Sequence, residues 1–263
     1  MHPHSRRLRD KIAKGDPVMG TFITEFTMPA AINVMADAGF DFLTLDGEHG
    51  NFTAREVEQA LDTGWQAGLC MLVRVPNHDR AMITRSLDAG AGGIVVPAVD
   101  SMDQVHQIVR ATKYTPIGKR GVHLFRGHTR HRPVDPAQFM AQANRDTLTL
   151  IQIELVGALE LADQIAATEG VDGLYVGRGD LSVDMGLPGQ WNAPQLIEAV
   201  EKVIAACRKH GKIVACHTDD VEDMANLRDK GVQLFGYFCD IGLYKAAGQG
   251  FIDRAQQVLN IEP

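Results

Sequence analysis

The chain has 263 residues, 45 % hydrophobic and 22 % charged, with 26 Gly and 11 Pro, which excludes a disordered or collagen-like polypeptide and suits one domain with a large core. Twenty-six Lys and Arg against 33 Asp and Glu leave a formal charge of -7, so neither a nucleic acid nor a membrane is the expected partner. No window approaches the roughly 18 apolar residues of a membrane span, no signal-peptide run precedes Asp16, and Cys70, Cys207, Cys216 and Cys239 lie too far apart for a disulfide framework or a zinc site, which together point to the cytoplasm.

Along the chain, apolar runs rich in Val, Ile, Leu and Phe predict strands at 18–24, 42–46, 71–75, 93–98, 149–154, 173–177, 212–217 and 234–239. Amphipathic stretches predict helices between them at 28–38, 53–67, 79–89, 102–112, 156–167, 194–210 and 221–230, several running into a terminal glycine such as Gly39, Gly90, Gly211 or Gly231. This alternation, with no compositional break to mark a linker, predicts an α/β fold of a single (β/α)8 barrel spanning 1–263, rather than an open doubly wound sheet. The segment 113–146 is too long for an ordinary connection; it carries Lys119, Arg120, His123, Arg126, His128, Arg130, His131 and Arg132 and no acidic residue from Lys113 through Val134. It reads as a solvated loop, an oligomer contact or a local anion trap. A last amphipathic helix is expected at 251–259.

In such a barrel the chemistry stands at the C-terminal ends of the strands. Strand two ends in Asp46-Gly47-Glu48-His49, strand three in Arg74, strand five in Gln152-Ile153-Glu154, and strand six in Gly177-Arg178-Gly179-Asp180. Glu154 closes an otherwise apolar run, where a lone carboxylate is costly to bury unless it is paired or bound to a metal. With Asp180 on the next strand it offers two hard oxygens, which suit Mg2+ or Mn2+ before Co2+ or Zn2+. The alternative is that Glu154 pairs with Arg74 and Asp180 caps a helix beginning near Leu181-Ser182. The glycines here permit a close approach to backbone amides that hold a carboxylate or phosphate. His49 suits a base working near neutral pH or an unremarkable loop histidine. A serine-hydrolase elbow and a P-loop are both missing from the sequence.

Taken together, Leu45-Asp46-Gly47-Glu48-His49, Val73-Arg74-Val75, Leu87-Asp88-Ala89-Gly90-Ala91, Arg120-Gly121-Val122, Gln152-Ile153-Glu154, Glu169-Gly170-Val171-Asp172-Gly173 and the stretch 177–186 resemble the signature of the HpcH/HpaI family of metal-dependent class II pyruvate aldolases over nearly the whole chain. The resemblance implies a (β/α)8 barrel of the phosphoenolpyruvate/pyruvate superfamily type and a homo-oligomer, a hexamer whose C-terminal helices exchange between neighbours. It implies a divalent metal on Glu154 and Asp180, Arg74 and Gln152 against pyruvate, backbone of Gly179 and Asp180 on its carboxylate, and His49 with Asp88 for proton transfer. The reaction implied is reversible cleavage of a 4-hydroxy-2-oxoacid to pyruvate and an aldehyde. An acyl-CoA lyase of the citrate lyase beta or malyl-CoA lyase type, an oxaloacetate decarboxylase and a non-catalytic oxoacid binder are the rivals. Arg178 stands where many relatives have Pro, His123 to His131 where they have small or apolar residues, and Phe22 where some have Trp; a polar or anionic aldehyde is the resulting expectation.

Overall fold

The structure, a computed structural model, describes residues 2–261. Helix α1 (Pro3–Ala13) precedes strand β1 (Val18–Ile23), and the chain continues through α2 (Pro29–Asp37), β2 (Phe42–Asp46), α3 (Ala54–Gln66), β3 (Cys70–Arg74), α4 (Arg80–Ala89), β4 (Gly93–Val96) and α5 (Met102–Thr112). The second half runs α6 (Pro136–Asp146), β5 (Leu148–Ile153), α7 (Val156–Glu160), α8 (Ala162–Ala167), β6 (Gly173–Val176), α9 (Arg178–Asp184), α10 (Pro194–His210), β7 (Ile213–Thr218), α11 (Val221–Lys230), β8 (Leu234–Cys239) and α12 (Asp240–Leu259). All eight strands are parallel, each pairs with the next, and β8 closes on β1. The expected barrel is therefore the observed one.

Side-chain alternation along the strands creates two apolar regions. Val18 and Phe22, Phe42, Cys70 and Leu72, Val95, Leu148 and Leu150, Tyr175, Ile213 and Ala215, and Leu234 fill the barrel interior. Their neighbours of opposite parity, among them Leu43, Leu45, Met71, Val73, Ile94, Ile151, Ile153, Leu174, Val176 and Val214, pack outward against the helices. The inward series, carried to the C-terminal ends of the strands, gives Thr24, Asp46, Arg74, Gln152, Glu154, Gly177 and His217. That period of two is what brings chemistry from six separate strands to one mouth.

Five elements differ from the expected ones. Helix α1 lies outside the expected elements because Arg6, Arg7, Arg9 and Lys11 interrupt any apolar face; only Leu8 and Ile12 join the interior cluster, and they plug the N-terminal end of the barrel. Helix α6 lies inside the long segment, with the Asp135 side chain accepting from Gln138 N at 2.8 Å and Pro136 opening the first turn. The helix expected over 156–167 is two helices that break at Leu161. Helix α9 starts at Arg178, ahead of Leu181. Helix α12 begins at Asp240, well before 251, because the Asp240 carboxylate gathers the backbone amides of Thr24, Glu25 and Phe26 at 2.7–3.0 Å and ties β1 to the start of the helix.

The segment 113–135 joins the end of α5 to α6 and β5, so it lies at the N-terminal end of the barrel. Arg120 pairs there with Asp88 at 2.6 Å, Arg126 with Glu58, and Arg130 with Asp62 while lying 5.4 Å over the Trp65 ring. His128 is buried, with Nδ1 3.0 Å from the Asp88 carbonyl. Three of the cations that made this segment an anion-trap candidate are thus neutralised by acids of α3 and α4, far from the mouth formed by the strand ends of the same chain.

Candidate active site

A cleft of about 800 Å3 opens at the C-terminal end of the barrel. Asp46, His49, Arg74, Gln152, Gly177, Gly179 and Asp180 line it, as do Phe22, Tyr175, Trp191, Asn192 and the β7–α11 stretch from His217 to Asp223.

Its most constrained corner is the Asp46–Arg74 pair. Arg74 donates from Nε to Asp46 Oδ1 at 2.9 Å and from Nη2 to Oδ2 at 2.5 Å, a two-pronged grip that fixes the guanidinium plane. Asp46 also accepts from the backbone N–H of Glu48 and His49 at 3.1 and 3.3 Å, so one buried carboxylate positions the arginine and shapes the loop that carries the histidine. Gly47 is required here, because a Cβ would stand 2.7 Å from the Arg74 carbonyl oxygen. Burial opposes the charge on Arg74, but the Asp46 hydrogen bonds outweigh it and hold the guanidinium protonated. Arg74 Nη1 also lies 3.2 Å from Glu48, whose carboxyl burial pushes above its usual range. The guanidinium rests 5.0 Å over the Phe22 ring.

Glu154 lies against Gln152 and Gly177 of the cleft lining and is only 4 % exposed. Its Oε1 accepts from Ala98 N at 2.6 Å and its Oε2 from Gln152 Nε2, yet among the described residues no Lys, Arg or His forms an ion pair with it. Ala98 reaches it from a left-handed backbone conformation, φ +53°, which a non-glycine residue holds only under constraint. Gln152 Oε1 is buried with no hydrogen-bond partner. Gly177 lets the β6–α9 turn pass directly over this carboxylate, since a Cβ there would lie 3.1 Å from Glu154 Oε2. Three residues further on, Asp180 is exposed in the first turn of α9, with no side-chain hydrogen bond or ion pair among the described residues. The alternative pairing of Glu154 with Arg74 does not occur: Arg74 is already committed to Asp46 and Glu48.

The structure brings His49, Arg74, Gln152, Glu154, Gly179 and Asp180 to one end of the barrel. It does not bring Asp88 there. Asp88 sits at the C-terminal end of α4, and barrel helices run opposite to the strands, so it lies at the other end, held by Arg120. The aspartate joined to His49 within the chain is Asp46. The His49 ring is exposed in the cleft with no hydrogen-bond partner among the described residues.

Tyr175, His217, Asp219 and Asp223, not singled out from the sequence, complete the site together with Phe22 and Arg178. Tyr175 is buried with its hydroxyl unpartnered, and burial pushes its ionisation far up, so it stays a neutral hydroxyl. Phe22 meets Tyr175 and His217 edge to face at 6.0 and 5.5 Å. His217 Nε2 lies 3.0 Å from Asp219 Oδ1, and this hydrogen bond holds the Asp219 carboxyl below its usual range. Arg178 donates to Asp223 and, at 3.2 Å, to the His217 carbonyl. Strand parity was the available signal for Tyr175 and His217; nothing in the sequence pairs Arg178 with Asp223.

Among the described residues no group of three or more His, Cys, Asp and Glu is arranged as a metal cage, and no helix is long and apolar enough to cross a membrane. A closed (β/α)8 barrel with a buried carboxylate, a fixed arginine and a histidine without a hydrogen-bond partner among the described residues around one mouth has the layout of an enzyme active site. Residues 19–243 match the HpcH/HpaI aldolase/citrate lyase family, and the chain belongs to that family. It is 30 % identical to the hydroxypyruvate/pyruvate aldolase of Roseovarius nubinhibens over 233 residues, 89 % of this chain and 90 % of that protein. With the 5-keto-4-deoxy-D-glucarate aldolase of Klebsiella pneumoniae it shares 32 % identity over 225 residues, 86 % of this chain and 87 % of the relative. Its barrel superposes on the crystal structure of an HpcH/HpaI aldolase from Desulfitobacterium hafniense with a TM-score of 0.90 at 32 % identity, covering 97 % of this chain and 99 % of that one.

Proposed function

We propose that the protein is a metal-dependent pyruvate aldolase, which cleaves a 4-hydroxy-2-oxoacid to pyruvate and an aldehyde and catalyses the reverse addition. The carrying observation is Glu154, a buried carboxylate without a cationic partner, beside a free Asp180 and a rigidly held Arg74. A buried anion left unpaired is costly, and a divalent cation is the partner this donor set fits. Two carboxylates and no sulfur or clustered imidazole favour Mg2+ or Mn2+, which keep sites for water and substrate. When bound, the metal supplies Lewis acidity toward the oxygens of the 2-oxoacid.

The protein's own groups do the rest. Glu154 and Asp180 hold the cation, and Gln152 orients Glu154 by donating to Oε2. Arg74, unable to turn because Asp46 grips two of its nitrogens, directs its positive charge at the C2 oxygen, where negative charge develops. The N–H groups of Gly179 and Asp180 in the first turn of α9 face the carboxylate of pyruvate. His49 takes a proton from the pyruvate methyl carbon in the direction of addition, that carbon bonds to the aldehyde carbon, and water protonates the aldehyde oxygen. In cleavage water takes the 4-hydroxyl proton, the C–C bond breaks and His49 returns a proton to the methyl carbon. Asp46 serves as the positioning residue for both Arg74 and the His49 loop. The relatives named as aldolases of oxoacids support the same reading.

We further infer a cytoplasmic homo-oligomer, a hexamer by family resemblance. Helix α12 supports it: Tyr244, Phe251, Val258 and Leu259 are each more than 60 % exposed, and only Asp240 of its 20 residues is buried. The test of the activity is pyruvate methyl proton exchange in D2O, followed by NMR on chelator-treated protein before and after Mg2+ or Mn2+ is added. Metal-dependent exchange, lost in Glu154→Gln and slowed in His49→Ala, is expected. Exchange absent with either metal overturns the reading in favour of an acyl-CoA lyase or a binding protein.

A further inference from the structure

Resting on the metal-dependent aldolase reading, we propose that Arg178 is a positioning residue, whose tether to Asp223 holds the 177–180 turn in the shape that lets Asp180 join Glu154 on one cation. The turn needs such a tether because Gly177 and Gly179 flank Arg178, and glycine leaves the backbone its widest choice of conformations. Gly177 is pressed against Glu154, where a Cβ would stand 3.0 Å from the Glu154 Cβ. A Cβ on Gly179 would meet nothing within 4 Å, so packing does not fix that side of the turn. Ser182 Oγ donates to the Gly179 carbonyl at 2.7 Å, a bond inside the first turn of α9 that moves with it. Behind Asp180, helix α9 is anchored by the buried Leu181 and by Asp184, which accepts from Val156 N at 2.7 Å. Ahead of Asp180, the anchor is Arg178.

Its guanidinium donates from Nη2 to Asp223 Oδ2 and, at 3.2 Å, to the His217 carbonyl. Asp223 Oδ2 also accepts from Thr218 Oγ1 at 2.8 Å. One side chain therefore joins the β6–α9 turn to the end of β7 and to the first turn of α11. The Arg178 and Asp223 side chains are 17 % and 29 % exposed, against 45 % and 52 % for Arg126 and Glu58, so water and salt screen this pair less than that one. Arg178 is also the first residue of α9, after Gly177 at the N-cap. A proline is tolerated at that position, where the amide has no partner within the helix, and its ring sets φ near the helical value. Proline there fixes the turn without a guanidinium, which separates a role in geometry from a role of charge.

The experiment measures Mn2+ binding from the EPR signal of the free ion, counting the component that Glu154→Gln removes. Arg178→Ala is expected to weaken that binding about tenfold, as the loss of a group supporting a metal ligand does. Asp223→Ala, which keeps the arginine and removes its anchor, is expected to weaken it as well, and Arg178→Pro to recover most of the affinity. In pyruvate proton exchange the apparent KM is expected to rise in Arg178→Ala, while kcat at saturating Mn2+ and pyruvate changes less. Wild-type affinity in Arg178→Ala or in Asp223→Ala overturns the proposal. So does an Arg178→Pro protein as weak as Arg178→Ala, because the lost charge and not the loosened turn is then the cause. If Arg178→Ala does not fold, Arg178→Pro against Asp223→Ala decides: equal affinities overturn the proposal and tighter binding by Arg178→Pro upholds it. A wild type without Glu154-dependent Mn2+ binding instead overturns the metal-dependent reading on which the proposal rests.

Discussion

At the N-terminal end of the barrel, Asp172 lies 2.7 Å from both Arg9 and Lys113, Asp88 is held by Arg120, and Arg6 reaches Asp146 at 3.3 Å. At the C-terminal end, Glu154 is equally deep in the protein and meets no cation, Asp180 and His49 are free, and Gln152 Oε1 is left unpartnered. One end satisfies its buried charges internally. The other pairs Asp46 with Arg74 but leaves Glu154 without a cation among the described residues, and that imbalance separates the half of the barrel that maintains the fold from the half we propose as the site of binding and reaction.

The largest effect is expected where the imbalance is greatest. Glu154→Gln should abolish metal-dependent pyruvate exchange, by about 1,000-fold or more, while the melting temperature of the metal-free protein stays level or rises, because an unpaired buried charge is removed. A melting temperature that falls steeply would mean that Glu154 is a structural group like those at the other end. The converse change is Asp172→Asn, which strands the buried Lys113 ammonium. It is expected to cost about 3–5 kcal/mol in urea unfolding while the exchange rate per folded molecule is kept. Burial already lowers the Lys113 pKa, and Asp172 is its principal counter-charge.

A smaller effect concerns His2, whose pKa burial lowers from 6.5 to about 4. Between those values the unfolded chain binds the proton and the folded chain does not, so stability is complete above pH 6.5 and declines as pH falls toward 4. The decline is on the order of 1–3 kcal/mol, and denaturant midpoints measured across that window in the wild type and in His2→Gln should diverge, the variant being flatter. Arg126→Ala, which breaks an exposed pair with Glu58, should change stability by less than about 0.5 kcal/mol. A larger loss would mark the 113–135 segment as more tightly built than its exposed ion pairs indicate.

The eight strands were legible because each is a short β-rich run between turn residues, and the helices between them because each has an apolar face. Helix α1 was illegible for the opposite reason: two apolar residues, Leu8 and Ile12, do its docking, and no local pattern reveals a plug. Helix α6 carried its start signal in Asp135-Pro136, obscured by the basic residues before it. Within the site, Glu154 stood out as a carboxylate ending an apolar strand and Arg74 as a strand-terminal cation. His217 obeys the same inward parity and could have been read from it. Asp88 came from family resemblance alone, and its place on a helix end, opposite the strand ends, is what separates it from His49.

Sequence by itself determined the barrel and the identity of the groups at its mouth, because strand period and strand order depend on local patterns of apolar and polar residues. Only the tertiary structure decided which charges neutralise one another. Arg74 is taken by Asp46 and Arg120 by Asp88, while Glu154 is left alone. Those partnerships depend on distances of a few ångströms between residues up to 32 positions apart in the chain, and electrostatic energy in a buried setting is governed by that separation and by the water excluded around it.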